Sequence, residues 1–308
     1  AGIAVNKNGV IHCHKDTGLV SAVFNQEILD NMPGSMAIGH VRYSTTGDTR
    51  RENAQPISIT HVKGNLAVAH NGNLVNAGEL RREIELDGGI FRSSNDTEVL
   101  VYTIVKERLK CGSIEEAVMN TMHRIEGAYS LVVMSPRKLI AARDPHGFRP
   151  LCIGLMDNDC YIFASETCAL DALGAKFIRD VEPGEVCVVE NGELRSMHCG
   201  IECKSSACVF EYIYFARPDS IIDGASVELA RQEAGKYLSI EHPVGADVGY
   251  RRTGFRYSGS IGLCKVLRHS VRRGSHQEPL YRPHLYPAGS GQARALGASQ
   301  AERPAHRH

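Results

Sequence analysis

The 308-residue sequence has no tryptophan and only 6% aromatic residues, and its charges cancel, with 35 Lys and Arg against 35 Asp and Glu. Balanced charge argues against nucleic acid or an acidic membrane surface as a partner. No apolar run reaches the ~18 residues of a membrane-spanning helix, and no signal peptide opens the chain. We therefore expect a cytoplasmic protein with no nucleic-acid or membrane partner.

The ten cysteines are scattered at irregular spacings. Without a secretory signal, this pattern favours reduced cytosolic thiols over a disulfide framework. Cys199, Cys203 and Cys208 lie closest together, but their C-x3-C-x4-C spacing matches no zinc template. We interpret them as three ordinary thiols in an extended segment.

The hydrophobic pattern predicts an α+β fold. Short apolar strands between polar turns fill residues 1–70, amphipathic helices are expected at 97–110 and 114–125, and further strands follow between 128 and 189. With 43% hydrophobic residues, the chain is long enough for one large domain or two ordinary ones.

The stretch from residue 66 to residue 84 combines a buried strand, a polar turn and a helix. We predict a strand over 66–69, a turn over 70–73 and a helix capped by Asn76. Asn71 and the N–H of Gly72 can then present two donors to one point, which an anion developing on a carbonyl oxygen requires. The alternative is a plain Asn-Gly turn.

Two further positions carry groups that suit an amino-acid ligand. Arg42 and Thr45 follow a predicted strand over 35–43, and their guanidinium and hydroxyl suit a carboxylate. Asp96 precedes the helix over 97–110, where it is either the N-cap or a partner for a substrate ammonium. Taken alone, Arg42 reads as a solvated surface residue.

Several motifs together resemble class II glutamine amidotransferases, whose nucleophile is the N-terminal residue. They are GHVRYST at 39–45, AHNGNL at 69–74, SNDTEV at 94–99, DPHGFRP at 144–150 and ASET at 164–167. VEPGE at 181–185, EYIYFARPDS at 211–220 and IDG at 222–224 narrow the resemblance to the amidophosphoribosyltransferase family. The resemblance runs continuously from residue 1 to about residue 248.

The resemblance implies a fold and a reaction. Residues 1–205 would form the four-layer αββα sandwich of N-terminal nucleophile hydrolases, and 206–248 a linker and the start of an α/β phosphoribosyltransferase domain. Family members are homo-oligomers that take ammonia from glutamine. With Mg²⁺, the ammonia displaces pyrophosphate from phosphoribosylpyrophosphate and gives phosphoribosylamine, the first step of de novo purine (IMP) synthesis.

The resemblance also assigns roles to single residues. Asn71 and the Gly72 N–H would form the oxyanion hole, with Gly72 also contacting the glutamine. Arg42 and Thr45 would hold the glutamine α-carboxylate, and Asp96 its ammonium. Cys208 occupies the position of one ligand to the 4Fe–4S cluster that some members carry. We expect this chain to bind neither the cluster nor Mg²⁺ fully.

The chain departs from the family at its start. The family's catalytic Cys is absent, and Ala1-Gly2-Ile3 fits the segment directly after the family's His-Arg-Gly-Gln-Glu piece. We therefore expect the opening central strand and the nucleophile to be missing. The alternative is the family's Cys-Gly start with Cys changed to Ala.

The second departure begins at Gly249. Residues 249–308 are rich in Arg, Gly, His, Pro and Ser and show no helical or strand period. Restarting possible codons one base later converts 249–256 into V-I-G-V-P-D-S-G and 276–288 into I-K-N-R-Y-I-G-R-T-F-I-Q-P, which resemble the family's transferase domain. We interpret 249–308 as a frame-shifted, disordered tail; a natural basic tail is the alternative.

The leading hypothesis is an amidophosphoribosyltransferase fragment that is enzymatic by lineage, inactive itself and still able to bind glutamine weakly. Another class II amidotransferase, such as the hexosamine-forming synthase, is an alternative against which residues 212–223 argue. A third hypothesis is a non-catalytic glutamine-binding or interaction module that uses its basic tail for a partner.

Overall fold

The computed structural model describes residues 1–42, 50–243, 248–251, 256–267 and 270–273. Its strands are β1 (Gly2–Lys7), β2 (Val10–Lys15), β3 (Met36–His40), β4 (Ile57–His61), β5 (Gly64–Leu74), β6 (Gly127–Met134), β7 (Lys138–Arg143), β8 (Cys152–Leu155), β9 (Tyr161–Ala164), β10 (Lys176–Asp180), β11 (Glu185–Glu190), β12 (Glu193–His198), β13 (Ile221–Ile222), β14 (Ala225–Ser226), β15 (Val248–Arg251) and β16 (Ser270–Arg273). The α-helices are α1 (Val20–Val23), α2 (Gln26–Asp30), α3 (Ala77–Leu86), α4 (Asp96–Lys110), α5 (Ile114–Met122), α6 (Thr167–Leu173), α7 (Val227–Glu241) and α8 (Arg256–Leu267). A 3-10 turn spans Arg51–Asn53 and a π-helical turn spans Glu211–Phe215.

An antiparallel sheet of six strands, in the order β12-β11-β7-β6-β5-β4, forms the inner layer. Strand β5 of this sheet packs against other layers on both sides, because successive side chains in a strand point to opposite faces. The larger Leu66 and Val68 pack in the same cluster as side chains of α4 and α5. The smaller Ala67 and Ala69 pack on the other face of the sheet.

The second layer consists of two three-stranded sheets, β2-β1-β3 and β10-β8-β9. Ala4 and Ile38 of the first sheet pack against Ala67 and Ala69 of β5. Ile153 and its neighbours in the second sheet pack against β7 and β11 in a separate cluster. Both small sheets therefore cover the same face of the six-stranded sheet.

Helices cover the two outer faces. Leu100 of α4 and Val118 of α5 are fully buried against the six-stranded sheet. On the far side, Leu170 of α6 is fully buried against Cys152 of β8. The order of layers is helix, sheet, sheet, helix, so the predicted α+β sandwich is confirmed. None of the described helices combines the length and the apolar character needed to cross a membrane.

The predicted turn over residues 70–73 is wrong, because β5 continues through it to Leu74. Gly72 pairs with Tyr129 of β6, and its φ is +146°. A Cβ built on Gly72 would overlap the carbonyl oxygen of Ala128. The glycine signal was real, but it marks a close approach of two strands and not a reversal of the chain.

The predicted N-caps need two corrections. Helix α3 starts after Asn76 as expected, but the Asn76 amide donates to the carbonyl of Arg124 at 2.9 Å and makes no cap hydrogen bond. Helix α4 is capped by Asn95, whose side chain accepts from the N–H of Thr97 at 3.0 Å. Asp96 is the first residue of the helix and is available for another role.

The expectation of no regular structure after residue 249 is wrong for the described part of that tail. Strands β15 and β16 pair in parallel, and α8 lies between them in sequence. Helix α8 packs on α7 through glycines, since a Cβ on Gly235 would overlap the carbonyl of Gly259. Apolar periodicity in the sequence does not reveal this contact, because backbone atoms and not apolar side chains form it. Residues 274–308 lie outside the described residues, and the shifted reading frame stays a prediction.

The Gly235→Ala variant distinguishes a packed α8 from a disordered tail, because the two structures predict changes of opposite sign in the free energy of unfolding. We expect the free energy of unfolding to fall by about 1–3 kcal/mol, because the new methyl group meets the α8 backbone. If α8 did not pack on α7, the same substitution in α7 would raise the free energy of unfolding by roughly 0.4–1 kcal/mol. Gly78→Ala in α3 is the control, since no atom lies within 4 Å of its Cβ. Urea unfolding measures both variants, and a stabilised Gly235→Ala chain would contradict the packing.

Candidate active site at the end of strand β5

The carboxylate of Asp96 lies against the end of β5. Its Oδ2 accepts from the N–H of Leu74 at 3.1 Å, and its Oδ1 lies 3.6 Å from Nδ1 of His70. Burial raises the pKa of Asp96, but the His70 ring and the N–H groups of Leu74 and Thr97 lower it more, so the net shift is downward. The site therefore presents a negative charge beside Gly72.

Asn71 points to the opposite face of β5. Its Oδ1 accepts from Nη2 of Arg149 at 2.8 Å, and its Nδ2 donates to Oγ of Ser165 at 3.4 Å. Arg149 precedes β8 and Ser165 follows β9, and both strands belong to the same small sheet, so both partners come from that side of the six-stranded sheet. Asn71 and Asp96 thus reach the end of β5 from opposite faces, with Gly72 close to both.

The loop over residues 144–150 is built around the fully buried side chain of Asp144. The two oxygens of this carboxylate accept from the backbone N–H groups of His146, Phe148, Arg149 and Tyr129 at 3.0–3.4 Å. A short acidic side chain that binds N–H groups two to five residues later fixes the shape of the loop. This fixes the backbone from which the Arg149 side chain reaches Asn71.

A second buried residue supports the same loop. Arg143, only 2% exposed, donates from Nε to the carbonyl of Arg149 and from Nη2 to that of Gly147, at 2.8 and 3.1 Å. Its guanidinium also forms two 2.8 Å hydrogen bonds with the carboxylate of Asp223. The segment that follows the sandwich is thereby joined to the site loop. Arg143, Asp144 and Arg149 had no role among the sequence-based predictions, although the DPHGFRP motif contains the last two.

Two histidines near the site, the buried His70 and the half-buried His40, were also missed. Nε2 of His70 and Nδ1 of His40 are buried without a hydrogen-bond partner among the described residues. Burial, together with the nearby His70, the Ala1 amine and Arg42, lowers the pKa of His40 to about 4. His40 lies in the GHVRYST motif and His70 in the AHNGNL motif, and these motifs were the sequence signal that could have identified both residues.

The two predicted carboxylate-binding residues have different outcomes. Arg42 follows β3 by two residues, and its charge is close enough to His40 to lower the pKa of that ring. Thr45 lies outside the described residues. Gly72, Asn71 and Asp96 converge on the same strand end, as described above.

The comparisons with known proteins point to one enzyme family. Residues 40–172 match the model of a glutamine amidotransferase domain family. The amidophosphoribosyltransferase of Methanocaldococcus jannaschii is 48% identical over 263 residues, which cover 80% of this chain and 56% of that protein. That of Bacillus subtilis is 43% identical over 267 residues, covering 86% and 56%.

The chain belongs to the amidophosphoribosyltransferase family. The solved B. subtilis glutamine phosphoribosylpyrophosphate amidotransferase, complexed with ADP and GMP, superposes with a TM-score of 0.85 at 38% identity. The match covers 96% of this chain and 64% of that one. The chain spans about half the length of the curated relatives it matches. Family membership excludes the alternative of a hexosamine-forming class II synthase.

The cluster that some amidophosphoribosyltransferases carry needs four thiolates. Cys208 is half-buried, Cys199 is buried and Cys203 is exposed. Within the described ranges, no three His, Cys, Asp or Glu side chains are grouped so that they could hold a metal ion. The residues described here therefore do not fit a cluster, and no chemical step is assigned to a cluster or to Mg²⁺.

His40 makes stability depend on pH. Its pKa is lowered from 6.5 to about 4, so the unfolded chain takes up the proton first as the pH falls. The stabilisation is complete above pH 6.5 and is lost between pH 6.5 and pH 4. Between pH 7 and pH 4, the free energy of unfolding should fall by up to about 3 kcal/mol less in His40→Gln than in the parent chain. Urea unfolding from pH 7 to pH 4 measures it, with the exposed His12→Gln as control; an unchanged pH dependence in His40→Gln would contradict the assignment.

Proposed function

We propose that this chain is the glutamine-binding part of an amidophosphoribosyltransferase. Asp96 receives the ammonium of glutamine, and Arg42 with Thr45 receives its α-carboxylate. The amide of Asn71 and the N–H of Gly72 meet the side-chain carbonyl oxygen, as an oxyanion hole does. The observation that carries the proposal is the ionised Asp96 carboxylate held against Leu74 beside the Asn71-Gly72 step.

The charges of the site support an amino acid as the ligand. A half-buried anion at Asp96 and the guanidinium of Arg42, two residues after β3, match the two charged ends of a free α-amino acid. The Asn71 amide, on the other face of the strand, suits a neutral carboxamide farther along the ligand. Glutamine has these three groups in this order.

The reaction of the whole enzyme is part of the same proposal. Glutamine would supply ammonia to a second, phosphoribosyltransferase-type domain beginning within residues 206–248. There the ammonia would displace pyrophosphate from phosphoribosylpyrophosphate and give phosphoribosylamine for purine synthesis. The homo-oligomeric state of the family would apply to that complete protein. The remaining alternative is a non-catalytic glutamine-binding or interaction module.

The 308-residue chain itself is expected to release no ammonia from glutamine. Burial raises the pKa of Cys13, Cys152, Cys168 and Cys187, so these thiols are not activated as thiolates. A coupled glutamate dehydrogenase assay for ammonia checks this, and turnover that persists after removal of contaminating glutaminase would contradict it.

Isothermal titration with L-glutamine tests the binding proposal. We expect weak binding by the chain and a further loss of about 1.5–3 kcal/mol for Asp96→Asn, because a charged partner of the ammonium is removed. Asp87→Asn is the matched control, since Asp87 is exposed at the end of α3 and pairs with Lys106. Equal affinities for the Asp96 and Asp87 variants, or no heat from the parent chain, would overturn the proposal.

A further inference from the structure

One guanidinium joins the candidate oxyanion-hole amide to the segment that follows the sandwich. Arg149 donates from Nη2 to Oδ1 of Asn71 at 2.8 Å, and its Nη1 lies 2.5 Å from Oε1 of Glu211. Glu211 begins the π-helical turn Glu211–Phe215. The Arg149 guanidinium also lies 5.3 Å from the ring centre of Phe215, within cation–π distance.

This contact determines which way the Asn71 amide faces. Arginine has donors and no acceptor, so only the carbonyl end of the amide can meet Arg149. The Nδ2 end must then point away, towards Ser165 at 3.4 Å. The Ser165 hydroxyl both donates and accepts, so it tolerates either orientation of the amide. Arg149 is therefore the neighbour that imposes the orientation.

Arg149 is in turn held from two sides. Its backbone is fixed by Asp144 and Arg143, as described above. Its side chain faces the carboxylate of Glu211, which is only 5% exposed. The contact is an ion pair and not an aligned hydrogen bond, since Glu211 Oε1 has no hydrogen-bond partner among the described residues. A buried carboxylate beside a guanidinium holds it strongly, because either charge alone would be costly in that place.

We propose that Arg149 is a positioning residue that keeps the Asn71 amide N–H aimed into the glutamine site, and that Glu211 makes this orientation depend on the segment over 208–216. If the segment moves and withdraws Glu211, Arg149 loses its anchor and the Asn71 amide can turn. Its carbonyl oxygen would then face the site and repel a developing oxyanion. The segment after the sandwich thus controls the donor.

The orientation itself can be tested without any ligand. In the ¹⁵N-labelled full chain, the Asn71 side-chain NH₂ signals should show contacts to Ser165 that weaken and shift in Arg149→Met. Arg195→Met is the matched control, because Arg195 is half-exposed and pairs with Glu115 and Glu190 at the far edge of the sheet. Unchanged Asn71 NH₂ signals in the Arg149 variant would overturn the proposal.

A pair of ligands then separates positioning from general damage. L-Norvaline has the same charged end as L-glutamine and no carboxamide, so its binding should be equal in the parent chain and in Arg149→Met. Glutamine binding should fall about tenfold in the variant, the effect of one lost hydrogen bond of ordinary to high strength. Equal losses for both ligands would indicate collapse of the site and would overturn the positioning role.

Two further variants cover a failure of Arg149→Met to fold. Arg149→Lys keeps the charge but lacks the fork that spans Asn71 and Glu211, and Glu211→Gln leaves Arg149 in place without its counter-charge. Both should lower the glutamine-to-norvaline ratio; an unchanged ratio would refute the link to the segment. The ligand arm rests on the proposed function, and the two can fail separately. If the parent chain binds no glutamine, the proposed function is wrong, while the Asn71 signals still decide the role of Arg149.

Discussion

The carboxylate of Asp144 is the interaction from which the geometry of the site follows. It is fully buried and satisfies four backbone N–H groups, one of them on Tyr129 of β6 and another on Arg149. Because Tyr129 pairs with Gly72, one side chain ties the neighbouring strand and the site loop together. The position of Arg149, and through it that of the Asn71 amide, depends on this carboxylate.

Strand β5, which carries the site, packs against a different layer on each of its two faces. Large side chains on one face of β5 pack under the helices, and alanines on the other face let the small sheets approach closely. Asp96 arrives from the helical side and Arg149 from the side of the small sheets. Gly72, without a side chain, lies in the strand between the two sets of polar groups, where we propose that one ligand binds.

The sequence was sufficient for the fold, and it singled out Asp96 as a candidate site residue that the structure places at the end of β5. Apolar periodicity predicted most strands and helices α4 and α5, and the motifs predicted the sandwich. It failed where backbone, and not side chains, decides the structure. The Asn-Gly pair at 71–72 looked like a turn but is paired in a strand, and the contact between α7 and α8 is made by glycines. The Arg149 contact joins residues 78 positions apart, so no local pattern could reveal it.

We propose that the end of β5 forms one glutamine-binding site whose residues come from both faces of the strand. Titrating the ¹⁵N-labelled chain with L-glutamine and following the backbone amide signals tests it most directly. The account predicts that the largest shifts fall on Gly72, Leu74 and Asp96, with smaller shifts at Arg149. Saturable shifts confined to another part of the chain, with these amides unmoved, would contradict it.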